Sequence, residues 1–298
     1  MARLGVLMLA SLAGAAQAQT PWVDFKWGTR DPHDPSSAHA AILLPVKLNG
    51  ASCLMQFDTG ADTSVLYRPM LPAAIVTDDP AAQVTLTVGG VALSRQFPLM
   101  YPDDAANRGA GCRDGDNGPL AGTLSGDAFK DGAIELDLKQ ARFRIFKAGD
   151  ARLPLSAGSQ WVPFTLGQAV SANVPIVTAR LPDGRTAPLR FDTGSVPMDL
   201  LVFRQPDWLA LVGRAQADRA TRTETSSWGQ PIVCLSAPLQ APIRVDGLNL
   251  PQSLQATYCA LPDRPAFAGL PEYGVLGLNA FRDDSLVIDF AAHMIQVR

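Results

Sequence analysis

The sequence has little charge and no concentration of one sign. Of its 298 residues, 18% are charged, and the formal net charge is -3 at pH 7. No run of Lys or Arg provides the basic surface that nucleic acids or anionic membranes attract. We therefore expect no nucleic acid as a partner.

Metal ligands in a recognisable spacing are also lacking. The three histidines are scattered along the chain, and no Cys-x-x-Cys pair occurs. Structural zinc sites usually combine such closely spaced ligands. We expect no metal site.

Long apolar runs are absent beyond the N-terminus. Arg3 precedes an apolar run from Leu4 to Ala16, and Ala16-Gln17-Ala18 has the small-x-small form of a signal-peptide cleavage site. A run of about 13 residues is shorter than the roughly 20 needed to span a bilayer. The pattern predicts a signal peptide over residues 1–18, an exported periplasmic or secreted protein, and no membrane span after cleavage. An uncleaved anchor is the alternative.

The cysteines are few but even in number. An oxidising compartment favours disulfides, and four cysteines allow three pairings. Two cysteines lie in each half of the chain, which favours one disulfide per half. We predict bonds between Cys53 and Cys112 and between Cys234 and Cys259, with a metal site or reactive thiols as alternatives.

Glycine and proline are abundant and spread along the chain. There are 25 glycines and 24 prolines, a distribution that favours many short strands and turns over long helices. Only the stretch from Pro206 to Ala220 is typical of a helix. The sequence therefore predicts an all-β fold.

A four-residue motif occurs twice, as Phe57-Asp58-Thr59-Gly60 and as Phe191-Asp192-Thr193-Gly194. Each copy follows an apolar, strand-like run. Asn49-Gly50 and Asp183-Gly184 each begin nine residues before the aspartate of their copy, and such pairs favour the tight turn of a β-hairpin. The same hairpin is therefore expected to carry both aspartates.

The repetition continues downstream of both motifs. Gly122–Asp131 resembles Gly274–Asp283, and each block leads to an alternating run and a closing strand. Three blocks in one order indicate a duplicated all-β unit of about 110 to 140 residues. We place the units at residues 40–147 and 161–298, with a lead-in at 19–39 and a linker at 148–160.

On these motifs the chain resembles the aspartic peptidases of the retropepsin and pepsin superfamily, over residues from about 40 to 298. The resemblance implies a bilobal acid-protease fold, with two duplicated retropepsin-like β-barrel lobes and a cleft between them. It also implies an aspartic endopeptidase in which Asp58 and Asp192 activate water, with no cofactor. The substrate would be a peptide or unfolded protein. Because a lobe tethered on the same chain has a large effective concentration, we expect a monomer, with pairing of each lobe to a lobe of another chain as the alternative.

The residues around the two aspartates fit this resemblance. Gly60 and Gly194 allow each loop to turn sharply, and Thr59 and Thr193 can donate hydrogen bonds across the lobe interface, as in the family. We therefore expect five residues to support the active-site loops: Thr59, Gly60, Thr193, Gly194 and Ser195.

The residue after each glycine differs between the two motifs. Ser195 can hydrogen-bond Asp192, whereas Ala61 offers Asp58 no hydroxyl. We therefore expect Asp58 to carry the proton more readily and the activity optimum to be weakly acidic.

Three features depart from the family pattern or lack a fixed role. Ser125 stands where the second unit has Gly277. Asp62 could bind the substrate backbone, or it could be a solvated turn residue. The segment from Thr221 to Cys234 could form a flap whose tip residues, Trp228 and Gly229, contact substrate, or an ordinary surface loop.

No comparable flap segment is expected in the first unit, where residues 69–83 are too few and too rich in Pro and Ala. The reduced cover and Ser125 leave an alternative function, a catalytically weak or inactive peptide-binding envelope protein that keeps the fold.

Overall fold

The protein is mostly β, as the sequence predicts. The computed structural model describes residues 20–29, 39–72, 74–75, 77–100, 112, 120–147, 160–168, 172–227, 230–248, 250–260 and 269–298. Within these residues the strands form three sheets. The predicted signal peptide and most of the predicted linker lie outside the described residues.

The elements of the first half follow in chain order. The strands are β1 (Val23–Asp24), β2 (Lys26–Gly28), β3 (Ala41–Leu48), β4 (Ala51–Phe57), β5 (Val65–Tyr67), β6 (Ala81–Val88), β7 (Val91–Met100), β8 (Leu120–Leu124), β9 (Gly132–Asp137) and β10 (Arg142–Lys147). Short 3-10 helices occupy Arg68–Met70 and Gly126–Phe129.

The second half has the same kinds of element and two additional helices. Its strands are β11 (Trp161–Pro163), β12 (Thr165–Leu166), β13 (Pro175–Arg180), β14 (Thr186–Asp192), β15 (Leu200–Val202), β16 (Thr221–Ser227), β17 (Gln230–Pro238), β18 (Arg244–Val245), β19 (Gln255–Ala260), β20 (Gly274–Gly277), β21 (Ser285–Asp289) and β22 (Met294–Val297). The helices are α1 (Gln205–Val212), α2 (Arg214–Ala217) and the 3-10 helix Leu278–Phe281. The helix predicted from Pro206 to Ala220 therefore exists, but it is interrupted at Gly213, whose φ is 72°.

Six strands of the first half close into a barrel in the order β3-β4-β8-β5-β7-β6, because β6 pairs back onto β3. The predicted hairpin at Asn49-Gly50 joins β3 to β4. Both turn residues have positive φ, 47° and 94°, as a two-residue hairpin turn requires.

The second half repeats this strand order as β13-β14-β20-β15-β19, with β18 paired onto β13. The register repeats too: Phe57 pairs with Leu124 in the first half, and Phe191 pairs with Leu276 in the second. The difference is the hairpin β16–β17, which pairs onto β19. In the described part of the first half, β5 is followed by a 3-10 helix and turns before β6, and no hairpin is inserted.

The third sheet draws strands from both halves, in the order β1-β10-β9-β21-β22-β11. A buried ion pair lies on it, with the Arg144 Nη2 atom 2.7 Å from Glu135 Oε2. Arg298 reaches the other Glu135 oxygen at 3.1 Å. The lead-in contributes β1 to this sheet, and it contributes β2 as an additional strand paired onto β3 of the barrel. Neither strand is evident from the sequence.

Both predicted disulfides are present. Cys53 in β4 is bonded to Cys112, and Cys234 in β17 is bonded to its direct cross-strand neighbour Cys259 in β19. Each half therefore contains one disulfide, as predicted. Among the described residues, no helix has the length and apolarity to cross a membrane.

Candidate active site

The two Asp-Thr-Gly motifs lie where the second strand of each hairpin ends. Phe57 closes β4 and Phe191 precedes the last residue of β14, and both rings are fully buried. A buried ring on one face of a strand directs the next side chain to the opposite face. Asp58 and Asp192 therefore emerge from the core at equivalent points, and both are half-buried.

Thr59 and Thr193 join the two loops by four reciprocal hydrogen bonds. Each main-chain N–H donates to the other threonine's hydroxyl oxygen, at 2.9 Å from Thr59 and 3.0 Å from Thr193. The Thr59 hydroxyl donates to the Phe191 carbonyl at 2.6 Å, and the Thr193 hydroxyl donates to the Phe57 carbonyl at 3.1 Å. Both threonines are fully buried. The structure thus brings them together as the sequence predicts.

The two glycines let the carboxyl groups approach each other. A Cβ atom on Gly60 would lie 2.3 Å from the Asp192 carboxyl carbon, and one on Gly194 would lie 2.4 Å from the Asp58 carboxyl carbon. Any side chain at either position would collide with the aspartate of the opposite loop. The glycines are therefore required by this close approach.

Each aspartate is oriented by donors from its own loop. Asp58 Oδ1 accepts the N–H groups of Gly60 and Ala61 at 2.9 and 3.1 Å. Asp192 Oδ1 accepts the Gly194 N–H at 2.7 Å, and its Oδ2 accepts the Ser195 hydroxyl at 2.8 Å. The predicted Ser195 contact is present. The main-chain N–H of Ala61 also donates to Asp58, which the differing side chains of Ala61 and Ser195 do not predict.

The pKa of the Asp58 carboxyl is raised well above its ordinary value of 3.8. Burial is the largest cause, followed by the charge of Asp192 and a side-chain hydrogen bond with it; the N–H groups of Gly60 and Ala61 act in the opposite direction. Two adjacent carboxyl groups cannot both ionise without cost, which is why the neighbouring Asp192 raises the pKa of Asp58. The direction of the shift agrees with the expectation that Asp58 carries the proton.

Ser125 and Gly277 occupy equivalent positions with the same backbone conformation, φ -93° and ψ 176° against φ -92° and ψ 176°. A Cβ atom on Gly277 would lie 2.3 Å from the Met198 carbonyl oxygen. In the first half the serine fits, and its hydroxyl donates to the Ala61 carbonyl at 2.5 Å. The departure from glycine therefore adds a hydrogen bond to the Asp58 loop.

Asp62 is tied to the second half of the chain. Its Oδ1 atom accepts the Asn173 N–H at 3.2 Å, and its carbonyl oxygen accepts the Asn173 side-chain amide at 2.8 Å. Val196, the corresponding residue of the second motif, is 2% exposed. Asp62 thus links the Asp58 loop to the residues before β13, and its contact with substrate stays a prediction.

The candidate flap is an antiparallel hairpin, β16–β17, in which Ser227 pairs with Gln230 at the end next to the turn. Trp228 and Gly229, the predicted tip residues, lie outside the described residues. In the middle of β17, Cys234 is bonded to Cys259 of β19 by its disulfide. The segment expected to form either a flap or a surface loop is thus a hairpin in its described residues, and its contact with substrate stays a prediction.

Two further carboxylates brace the loops and were missed by sequence reasoning. Asp127, in the 3-10 helix Gly126–Phe129, accepts hydrogen bonds from Thr63 and Ser64. Asp199, just before β15, accepts the side-chain amide of Asn279. The repeated Gly-x-Leu blocks contain Asp127 and Asn279 at matching positions. The sequence does not show that these residues face the Asp loops, which are residues 58–64 and 192–199.

Within the described ranges, no group of three or more His, Cys, Asp or Glu side chains is arranged to hold a metal ion. Comparisons with known proteins identify no family: no protein-family model matches the chain, and no curated protein is significantly similar to it in sequence. The resemblance to aspartic peptidases therefore stays a prediction from the sequence motifs.

Proposed function

We propose that the protein is an aspartic endopeptidase with a bilobal, duplicated acid-protease fold. The observation that carries this proposal is the mutual approach of the two loops, in which each glycine leaves room only for the other loop's carboxyl group. A protein that only bound peptides would have no need of two carboxyl groups held in mutual repulsion. The repeated strand order of the two halves supports the same fold.

The proposed reaction uses a water molecule held between Asp58 and Asp192. Ionised Asp192 accepts a hydrogen bond from the Ser195 hydroxyl. It takes a proton from the water molecule as the water oxygen attacks the carbonyl carbon of the peptide bond. Protonated Asp58 donates a hydrogen bond to the carbonyl oxygen and stabilises its developing charge. The C–N bond then breaks as protonated Asp192 returns the proton that it took from the water to the leaving nitrogen, which releases an amine and a carboxylic acid and restores ionised Asp192 and protonated Asp58. The aspartates supply every acid and base in this scheme.

The hairpin β16–β17 is the proposed cover of the cleft. In this arrangement the second half carries the flap, and the first half leaves its side of the cleft without one in the residues described. A cover excludes water and strengthens electrostatic interactions in the site. The protein would act on extended segments of peptides or unfolded proteins, which fit a cleft between two lobes.

A peptide-binding protein without activity is the second candidate, and the uncovered first half favours it. Incubation of the disulfide-bonded protein with a denatured-protein library, followed by mapping of new termini at several pH values, separates the two. We expect internal cleavage with a weakly acidic optimum. A profile that peaks below about pH 3 contradicts the proposed proton distribution, and binding without cleavage supports the second candidate.

A further inference from the structure

Two sets of hydrogen bonds, here called clamps, attach the Asp loops to the 3-10 helices Gly126–Phe129 and Leu278–Phe281. The two clamps differ in which side provides the acceptor carboxylate. In the first half the helix provides the carboxylate, Asp127. In the second half the loop provides it, through Asp199, which is 8% exposed. Neither residue belongs to the proposed dyad, and their sequence positions alone assign them no role.

In the first-half clamp, Asp127 receives several donors from the loop. The Thr63 hydroxyl donates to Oδ2 at 3.1 Å, and the Ser64 N–H reaches Oδ1 and Oδ2 at 3.1 and 3.2 Å. The Ser64 hydroxyl also donates to Oδ1. Arg95 pairs with Oδ2 at 3.1 Å. The carboxylate therefore gathers two consecutive loop residues and one cation.

In the second-half clamp the groups are exchanged. The side-chain amide of Asn279, in the helix, donates to Asp199 Oδ1 at 2.5 Å. The Gln255 N–H, at the start of β19, donates to Asp199 Oδ2 at 2.8 Å. Here the loop carboxylate accepts from the helix, which reverses the direction of donation seen in the first half.

The strand registers identify the equivalent residues. Val65 pairs with Thr123 as Leu201 pairs with Val275. Thr63 and Asp199 each lie two residues before the first member of these pairs. Asp127 and Asn279 each lie four residues after the second member. A Thr–Asp pair in one clamp therefore corresponds to an Asp–Asn pair in the other.

The first clamp is connected to the dyad through the main chain. Ser64 Oγ, held by Asp127, accepts the Ser125 N–H at 2.9 Å. The Ser125 hydroxyl donates to the Ala61 carbonyl at 2.5 Å, and the Ala61 N–H donates to Asp58 Oδ1 at 3.1 Å. A shift of the clamp therefore moves a donor of the Asp58 carboxyl.

We propose that Asp127 and Asp199 are positioning residues, which hold the Asp58 and Asp192 loops in the geometry that the dyad requires. The catalytic part of this inference rests on the proposed peptidase function, whereas the structural part does not. Small displacements of reacting groups can cost about a hundredfold in rate. The two clamps are alternative solutions to the same positioning problem, so one should be able to replace the other.

The test transfers the second clamp into the first half with the substitutions Thr63→Asp and Asp127→Asn. Each single variant weakens the clamp, since Thr63→Asp places two carboxylates together and Asp127→Asn replaces one of the two acceptor oxygens with an NH2 group that meets the donors of Thr63, Ser64 and Arg95. We expect each to displace the Gly60 and Ala61 amide resonances and to lower kcat about tenfold with little change in KM. The double variant should return the amide resonances towards their wild-type positions and recover kcat to within about threefold of wild type.

The matched control carries the same two types of substitution at exposed sites, Thr165→Asp and Asp131→Asn, and should leave both readouts unchanged. The proposal is overturned if the loss in kcat of the double variant is as large as the product of the losses of the two single variants. The amide resonances test the clamp even if wild type cleaves no peptide. Absence of cleavage together with rescued resonances would refute the proposed function and its catalytic part, while retaining the loop clamp.

Discussion

The hydrogen bonds between the two Asp loops should make a measurable contribution to stability. In Thr59→Val the side chain keeps its shape but loses the hydroxyl. The Phe191 carbonyl loses its 2.6 Å donor, and the Thr193 N–H loses its 3.0 Å acceptor. Both groups stay buried between the loops, where water cannot easily replace the lost partner.

Each buried polar group left without a partner costs about 1 to 3 kcal/mol. We therefore expect Thr59→Val to lower the free energy of unfolding by about 3 kcal/mol, and to lower Tm by about 5 °C for a protein of this size. Urea unfolding of the oxidised protein, followed by tryptophan fluorescence, measures the difference.

Thr165→Val is the control, because Thr165 is exposed and such surface changes usually stay within about 0.5 kcal/mol. If Thr59→Val is no more destabilising than Thr165→Val, the loops are not held together by these hydrogen bonds and the described geometry is wrong.

Three other perturbations have defined outcomes. The raised pKa of Asp58 means that the folded state keeps a proton which the unfolded state releases near its ordinary value of 3.8, so the unfolding free energy should fall as pH rises from about 4 through the raised pKa. Asp58→Asn should remove much of this fall in urea titrations at several pH values, and an unchanged slope contradicts it. Replacing both Cys234 and Cys259 with Ala opens a disulfide with a sequence separation of 25 residues and should cost about 3 kcal/mol in denaturant unfolding; the cost should disappear when wild type and variant are both measured fully reduced. Glu135→Gln leaves the buried Arg144 guanidinium without its carboxylate and should cost about 3 kcal/mol, measured by thermal unfolding; a cost below about 1 kcal/mol would show that the pair is dispensable.

The strands and hairpins were predictable because their signals are local. Asn49-Gly50 favours positive φ at both turn positions, and β3 and β4 have the apolar pattern of strands around it. The sequence repetition also predicted the matching hairpins that carry the two Asp-Thr-Gly motifs. The disulfide pairs followed from the placement of two cysteines in each half.

The bracing of the site was less accessible to sequence reasoning. The contacts of Asp127 with Ser64 and of Asp62 with Asn173 join residues 63 and 111 positions apart, and no local pattern specifies such pairs. Ser125 shows the same limit. Its departure from glycine suggested a weakened site, whereas the fold gives its hydroxyl an acceptor in the Ala61 carbonyl.

The central claim is that Asp58 and Asp192 act as one catalytic unit. Its most direct test is the rate of cleavage of an unfolded protein or peptide library from about pH 3 to about pH 7. Wild type, Asp58→Asn, Asp192→Asn and the exposed control Asp131→Asn should be compared after each is shown to be folded. We predict that the control retains activity and that each dyad variant loses at least about a thousandfold in kcat/KM. Activity that survives either dyad substitution contradicts the account.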